Sequence, residues 1–346
     1  MLPLIIAEPP AEARAWPPRR HSYAAVLVAV AVGLLAPAHV AWLLGPALLV
    51  GMVLLGVAHG ACDQFVVPAT HPALAGEPVR YWVRFLGGYL GLAAAVGLLW
   101  WWQPAGAVAL FFALTVWHWG SADAPARTRH RAQWLAHSLL RGSLIFAVPL
   151  WYQPGTTRDT VNGLLTLAGA APVGAAAVAQ AAAVVGPLVL AGHLLLWLSY
   201  AWQRQTDLAR TDALEAALLT GLLVALPPVL SGGVYFVFWH SLQHVLRMNQ
   251  LMDRAQALRG PGLGAQLRFF LRRAAPLLLV SVAGLAVLYG VAWARHASGA
   301  VLVSLALLAA SVVTLPHALL VTFGLDAARW RRPADAPPAA TRAVAA

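Results

Sequence analysis

Long apolar runs, separated by short polar or proline-containing stretches, recur along most of the chain. A helix that crosses a bilayer needs about 20 predominantly apolar residues, and most of these runs meet that length. The pattern therefore predicts an all-α fold, a polytopic transmembrane helical bundle of about eight to ten spans. The predicted spans cover residues 23–37, 40–59, 82–102, 105–122, 134–152, 181–202, 213–230, 233–252, 274–294 and 300–322.

The composition agrees with a bilayer environment. Hydrophobic residues make up 60% of the 346-residue chain and charged residues only 10%, whereas soluble domains carry about 25% charged residues. This deficit excludes a disordered chain and argues against a purely soluble enzyme. The net charge of +11 comes from arginine alone, since the sequence contains no lysine. Because these arginines lie between apolar runs, we interpret them as topology signals and expect no nucleic-acid partner.

The arginines also indicate an orientation. With ten spans and a cytoplasmic N-terminus, 20 of the 23 arginines fall in cytoplasmic segments, as the positive-inside rule predicts. Only Arg158 and Arg295 fall on the other side, and Arg141 lies inside the fifth predicted span. We therefore predict a multi-pass protein of the cell (inner) membrane with both termini cytoplasmic. The predicted regions are a polar cytoplasmic segment at 1–22, a transmembrane catalytic domain at 23–325 and a disordered tail at 326–346.

Several histidines lie inside the predicted spans or at their ends, where ionisable side chains are costly and mark candidate functional sites. His240 and His244 are four residues apart, so on an α-helix both rings lie on one face and can bind one metal ion. His317 lies in the last predicted span. The single cysteine, Cys62, cannot build a thiolate metal site, and a set of neutral imidazoles suits iron or copper.

Two further histidines end apolar runs and are each followed by an aspartate. His59 precedes Asp63 by four residues, and His118 precedes Asp123 by five. A carboxylate next to an imidazole can accept its second N–H and fix the tautomer, as such carboxylates do for metal-bound histidine. We expect Asp63 to reach His59 if the helix persists through Gly60.

Asp123 lies on the wrong side of an ideal helix to reach His118. That contact requires the helix to unwind near Gly120, which glycine permits. The alternative interpretation of each His/Asp pair is an ordinary cap at a helix end.

Four boxes occur in the order His59-Gly60…Asp63, His118-Trp119-Gly120…Asp123, His240-Ser241…His244 and Leu315-Pro316-His317. In these boxes the chain resembles the Brp/Blh family of membrane-bound bacterial and archaeal β-carotene 15,15′-dioxygenases. Two residues depart from the family's pattern: Trp119 stands where phenylalanine is expected, and Gln243 stands where arginine is common.

The resemblance implies a mononuclear Fe²⁺ held by four histidines, which transfer by motif to His59, His118, His240 and His244. It also implies cleavage of β-carotene, or a related carotenoid, by O2 at the central 15,15′ double bond, giving two retinal molecules. Asp63 and Asp123 would then orient the ligands, and His317 would line the pocket or support the ligands. The implied partners are the carotenoid, O2 and the lipid bilayer, with a retinal-binding opsin as a candidate.

Other functions use the same residue types. Intramembrane histidine and aspartate can form the proton relay of a transporter, and histidines on facing helices can hold a haem. A membrane di-iron oxygenase needs about eight histidines in repeated HxxxH and HxxHH boxes, whereas this chain has one HxxxH. A last alternative, which differs from the implied function only in lacking catalysis, is a role in opsin biogenesis.

Overall fold

The computed structural model describes residues 19–125, 128, 130–253 and 262–327, and within these ranges the regular structure is helical, with no strand. The α-helices are α1 (Arg20–Leu35), α2 (Val40–Gly51), α3 (Ala58–Gly60), α4 (Val66–Thr70), α5 (Pro78–Trp102), α6 (Pro104–Asp123), α7 (Arg131–Tyr152), α8 (Pro154–Leu167), α9 (Ala175–Trp202), α10 (Thr206–Ala225), α11 (Pro228–Val234), α12 (Leu242–Met252), α13 (Leu263–Ala294) and α14 (Gly299–Leu320). Three π-helical segments continue these helices: π1 (Met52–Val57), π2 (Tyr235–Ser241) and π3 (Val321–Leu325). Short 3₁₀ turns lie at Pro37–His39, Asp63–Phe65 and Pro72–Ala75.

Each of the ten predicted spans falls mainly on helical structure, although 213–230 crosses the break between α10 and α11, and the prediction of an all-α, polytopic membrane protein is confirmed. Six helices of the described chain are by themselves long and apolar enough to cross a membrane: Pro37–Thr70, Pro78–Trp102, Pro104–Asp123, Ala175–Trp202, Leu263–Ala294 and Gly299–Leu325. This count is lower than the predicted eight to ten for a physical reason. Helix α1 has only 16 residues, while α7, α10 and the helix from α11 to α12 carry buried charged and polar side chains.

Contacts divide the described chain into two units. The first contains residues 19–65 and 218–302, and the second contains residues 66–217 and 303–327. In the first unit, π1 packs against π2, α1 packs against π2, and α13 contacts π1, α3 and α12. In the second unit, α7 packs between α6 and α9, and α4 contacts π3. Most of the predicted N-terminal segment and tail, at 1–18 and 328–346, lies outside the described residues.

Two glycines allow the backbones of α6 and α7 to touch. A Cβ at Gly120 would overlap the carbonyl oxygen of Ser138, and a Cβ at Gly142 would overlap that of Val116. Small residues at helix contacts allow such close packing in membrane proteins. The unwinding near Gly120 that an Asp123–His118 contact would require is not observed, because α6 remains helical to Asp123 and Gly120 lies at the contact with α7.

A buried ionic cluster connects α7 to α9 and α10 within the second unit. The Arg141 guanidinium donates to a carboxylate oxygen of Asp212 and to Glu215 Oε2, the latter at 3.2 Å. The other Asp212 oxygen accepts from Trp197 Nε1 at 2.7 Å, and His137 Nε2 lies 3.3 Å from Asp212 Oδ1. Since buried charges persist only when they are paired and hydrogen-bonded, this cluster fixes α7, the helix against which α6 packs.

We predict that Arg141→Met lowers the free energy of unfolding by about 3–5 kcal/mol, because two carboxylates would remain buried without their cation. Unfolding of the purified protein in mixed detergent micelles, followed by circular dichroism, measures this change. Arg158→Met is the control, since Arg158 pairs with Asp159 in a pair that is partly exposed and should matter little. Equal losses in the two variants would contradict the role given to the cluster.

Candidate metal centre

Three of the predicted ligands come together in the first unit. The ring centroids of His59 and His240 are 5.8 Å apart, those of His59 and His244 are 5.3 Å apart, and those of His240 and His244 are 6.4 Å apart. His59 and His240 each offer a ring nitrogen, and these two atoms lie within 4.8 Å of one another. All three side chains are buried, with exposures of 7%, 1% and 0% in chain order. His59 thus joins a pair of histidines at least 181 positions later in the sequence to form one compact imidazole cluster.

The π-helical segments place these rings. Segment π1 directly precedes α3, which carries His59, and π2 contains His240, whereas His244 lies one turn later in the regular helix α12. Segments with i→i+5 hydrogen bonds are rare and often occur at functional sites, where they change the direction in which a side chain points. The rings of His240 and His244 are stacked, with an interplanar angle of 26°. Pattern reasoning predicted the shared face of His240 and His244 but not the change in helical register.

A glycine lets π1 and π2 approach each other at the cluster. A Cβ at Gly56 would lie 2.9 Å from Phe236 Cε1 and 2.8 Å from Met52 Sδ, closer than real Cβ atoms come. Phe236 is half-buried, and its ring centroid is 5.5 Å from that of His59 and 6.1 Å from that of His240. Phe236 therefore forms an apolar wall against two of the three imidazoles.

Hydrogen bonding defines the tautomer of His59. Its Nδ1 lies 2.5 Å from the carbonyl oxygen of Gly56 and 3.4 Å from Ser241 Oγ. A carbonyl oxygen can only accept, so Nδ1 carries the proton and Nε2 keeps its lone pair. Metal-bound histidines are oriented in this way, through an N–H donated to a backbone carbonyl. His59 is thus prepared to bind a metal through Nε2.

Asp63 and Arg247 bring opposite charges to His244. A carboxylate oxygen of Asp63 lies within 4.8 Å of a ring nitrogen of His244, and Arg247 Nη2 lies 3.4 Å from His244 Nδ1. Helix α3 ends at Gly60 and a 3₁₀ turn, Asp63–Phe65, follows it, so the contact between Asp63 and His59 stays a prediction. This turn places Asp63 beside His244, whose ring also contacts the buried guanidinium of Arg247.

The second unit holds the other three predicted residues. The rings of His118 and His317 are in edge-to-face contact, with centroids 4.8 Å apart. Trp117 Nε1 donates to Thr322 Oγ1 at 3.1 Å and thereby connects α6 to π3, directly after α14. Asp123 is the buried last residue of α6. All seven predicted residues are therefore buried, four in the first unit and three in the second.

Sequence reasoning did not predict the ionic cluster around Arg141. The signal was available, because Arg141 lies in an apolar segment and the acidic pair Asp212 and Glu215 lies at the start of another. Opposite charges in two predicted spans indicate an intramembrane ion pair. The wall formed by Phe236 had no comparable signal, since aromatic residues recur throughout the predicted spans.

The donor set of the first unit fits a first-row transition metal. Imidazole nitrogens suit iron, copper, nickel and zinc, and carboxylate oxygens suit harder ions. Three buried imidazoles, one with its proton already held on Nδ1, provide neutral nitrogen donors without a conformational change in His59. The buried histidine cluster can therefore hold a metal ion.

Comparison with known proteins identifies the group to which this chain is similar. The family model for β-carotene 15,15′-dioxygenase matches residues 50–324. The protein named probable β-carotene 15,15′-dioxygenase Blh, from Halobacterium salinarum, is 31% identical over 310 residues, which cover 80% of this chain and 83% of the relative. The protein named probable β-carotene 15,15′-dioxygenase Brp, from the same species, is 28% identical over 222 residues, 60% of this chain and 59% of the relative. No solved structure matches the chain.

The matched region includes all four boxes, from His59 to His317. The resemblance inferred from those boxes is therefore confirmed by a match over most of the chain and by a relative with more than 30% identity. The chain belongs to the β-carotene 15,15′-dioxygenase family.

Proposed function

We propose that the protein is an iron(II)-dependent carotenoid oxygenase that cleaves the central 15,15′ double bond of β-carotene, or of a close relative, to give two retinal molecules. The observation that carries this proposal is the buried cluster of His59, His240 and His244. The names of the related proteins support the substrate class. Apolar membrane helices agree with a substrate that partitions into lipid.

Four histidines are proposed as ligands. His59, His240 and His244 are supported by their mutual distances, and His118 is assigned to the same iron by its box in the sequence. His317, whose ring contacts His118, is proposed to hold that ring in place rather than to bind the metal. When bound, the iron would supply a Lewis-acidic centre at which O2 is activated.

The reaction requires little acid–base chemistry from the protein. The central C=C bond breaks and each of its carbons gains one oxygen atom, so C40H56 and O2 give two C20H28O without net transfer of a proton. The side chains therefore have to bind and orient the polyene, hold the ligands and exclude water. We assign Phe236 to the polyene, as an apolar surface beside His59 and His240, and Asp63 and Asp123 to the orientation of histidine ligands.

The orientation in the membrane follows from the arginines. We propose that the arginine-rich loops and both termini face the cytoplasm and that the protein lies in the cell (inner) membrane, because the positive-inside rule requires this placement. The box histidines at the ends of α3 and α6 would then lie towards the cytoplasmic side.

Expression in a bacterium that makes β-carotene tests the reaction. We expect loss of the carotenoid colour and accumulation of retinal, measured by chromatography, and we expect His240→Ala to abolish both. His193→Asn is the matched control, because His193 is also a buried histidine but donates within its own helix, from Nδ1 to Val189 O at 2.9 Å. Unchanged carotene in cells that contain folded, iron-loaded wild-type protein would refute the proposal.

The ligand set predicts different results for the two histidines of the second unit. His118→Ala should reduce bound iron to the background level, whereas His317→Ala should retain iron and lose part of the activity. Iron per protein, measured by mass spectrometry after purification, separates the two roles. If both variants retained iron equally well, His118 would not be a ligand.

Asp63→Asn should lower the affinity for Fe²⁺ by roughly 10–100-fold, the usual effect of removing a carboxylate that orients a metal-bound histidine. Anaerobic metal titration of the purified protein measures this change. Asp159→Asn serves as the control, since Asp159 is exposed and pairs with Arg158. An unaltered affinity in Asp63→Asn would show that the carboxylate does not orient a ligand.

A further inference from the structure

Helix α1 lies outside the region matched by the family model, since that match begins at residue 50. Its buried residues nevertheless form one stripe, Ser22, Val26, Ala29 and Gly33, with the spacing of one helical face. The residues are small, and α1 packs closely against π2. The opposite face carries exposed leucine and valine, as expected for a side towards lipid.

The contacts of α1 reach the helix that carries two of the proposed ligands. Gln243 Nε2 donates to Ser22 Oγ at 3.1 Å, and both side chains are fully buried. The Tyr23 ring lies 5.5 Å from the ring of Trp239, and the Arg19 guanidinium lies 5.3 Å above the same ring. Polar, aromatic and cationic contacts from three residues within the segment 19–23 thus converge on two residues of one helix.

Trp239 and Gln243 directly precede His240 and His244 in the sequence. Residues four apart share a face of a helix, so Trp239 and Gln243 form one stripe and the two histidines form the next, about 100° around the axis. Fixing the first stripe therefore fixes the rotation of the second. This restraint matters in π2, because π-helical turns are less regular than α-helical turns.

We propose that α1 is a positioning element of the metal centre and that Gln243, held by Ser22, is the residue through which it sets the rotation of His240 and His244. The inference rests on the proposed function only in taking these two histidines as metal ligands. It also gives Gln243 a role of its own, because its amide contacts a helix that the family match does not include.

A matched pair of substitutions at Ser22 isolates the hydrogen bond. Threonine and valine have nearly the same shape, but only threonine keeps the hydroxyl, so any steric effect of the added methyl groups is shared. Co²⁺ is titrated anaerobically into full-length, metal-free protein in detergent and followed by its visible d–d absorption. We expect Ser22→Val to bind Co²⁺ about 10-fold more weakly than Ser22→Thr. Removing a residue that orients a metal ligand usually lowers metal affinity by about 10–100-fold, and this value is at the lower end of that range.

Ser311 supplies the control for a merely structural loss. It is a buried serine that accepts from Trp100 Nε1 at 2.7 Å, in the second unit. Ser311→Val and Ser311→Thr should differ in thermal stability but not in Co²⁺ affinity. Gln243→Met, which keeps the side-chain length without the amide, is the second test if Ser22→Val does not fold, and it should show the same loss of affinity.

The outcomes separate the two proposals. Equal Co²⁺ affinity of Ser22→Val and Ser22→Thr, or an equal loss at Ser22 and Ser311, would overturn the role of α1 while leaving the metal centre in place. A wild-type protein that binds no Co²⁺ would overturn the metal centre itself, and the role of α1 with it. Metal binding without carotenoid cleavage would contradict only the proposed reaction.

Discussion

The cost of placing a polar group in an apolar interior governs the arrangement of this protein. Within a lipid-embedded helix, each buried charge or imidazole must find a hydrogen-bond partner, an opposite charge or a metal. The two units meet this requirement differently. In the second unit, Arg141 is satisfied by the carboxylates of Asp212 and Glu215. In the first, His59, His240 and His244 pack ring against ring, an arrangement that a cation bound between their nitrogen lone pairs would stabilise.

The fold could be predicted from the sequence because the cost of placing polar groups in an apolar interior also determines which residues a membrane span contains. A span must be apolar over about 20 residues, so runs such as 82–102 and 105–122 predict helices whose observed bounds, Pro78–Trp102 and Pro104–Asp123, differ by only a few residues. Proline in the first helical turn marks both starts, since it lacks the N–H that a helix leaves unsatisfied there. Polar spans such as α7 are harder to assign, because their charges are neutralised by residues distant in the sequence.

The sequence could name the residues proposed for the candidate site but not their geometry. The four boxes name the histidines, since imidazoles at membrane depth stand out against an apolar background. Whether a helix ends or continues depends on tertiary contacts that no local pattern records. The α-helix ends at Gly60 but continues through Gly120, where α7 touches it. The same residue type therefore has opposite local outcomes, and Asp63 lies beside His244 as a result.

The helix from π2 to α12 shows why the irregular segments and the packing have to be considered together. His240 lies on the π-helical segment π2, a kind of segment that is rare and often occurs at functional sites, whereas His244 lies on the regular helix α12. A metal centre needs ligands held to a fraction of an ångström, and that precision comes from rotamers locked by packing and by hydrogen bonds behind the ligands. In this chain several parts of the structure support the histidines. A backbone carbonyl contacts His59 and a guanidinium contacts His244. The small-residue helix α1 packs against Trp239 and Gln243. The irregular helical segments that carry the proposed histidine ligands can therefore form a defined metal site only because packed neighbours hold these segments in place.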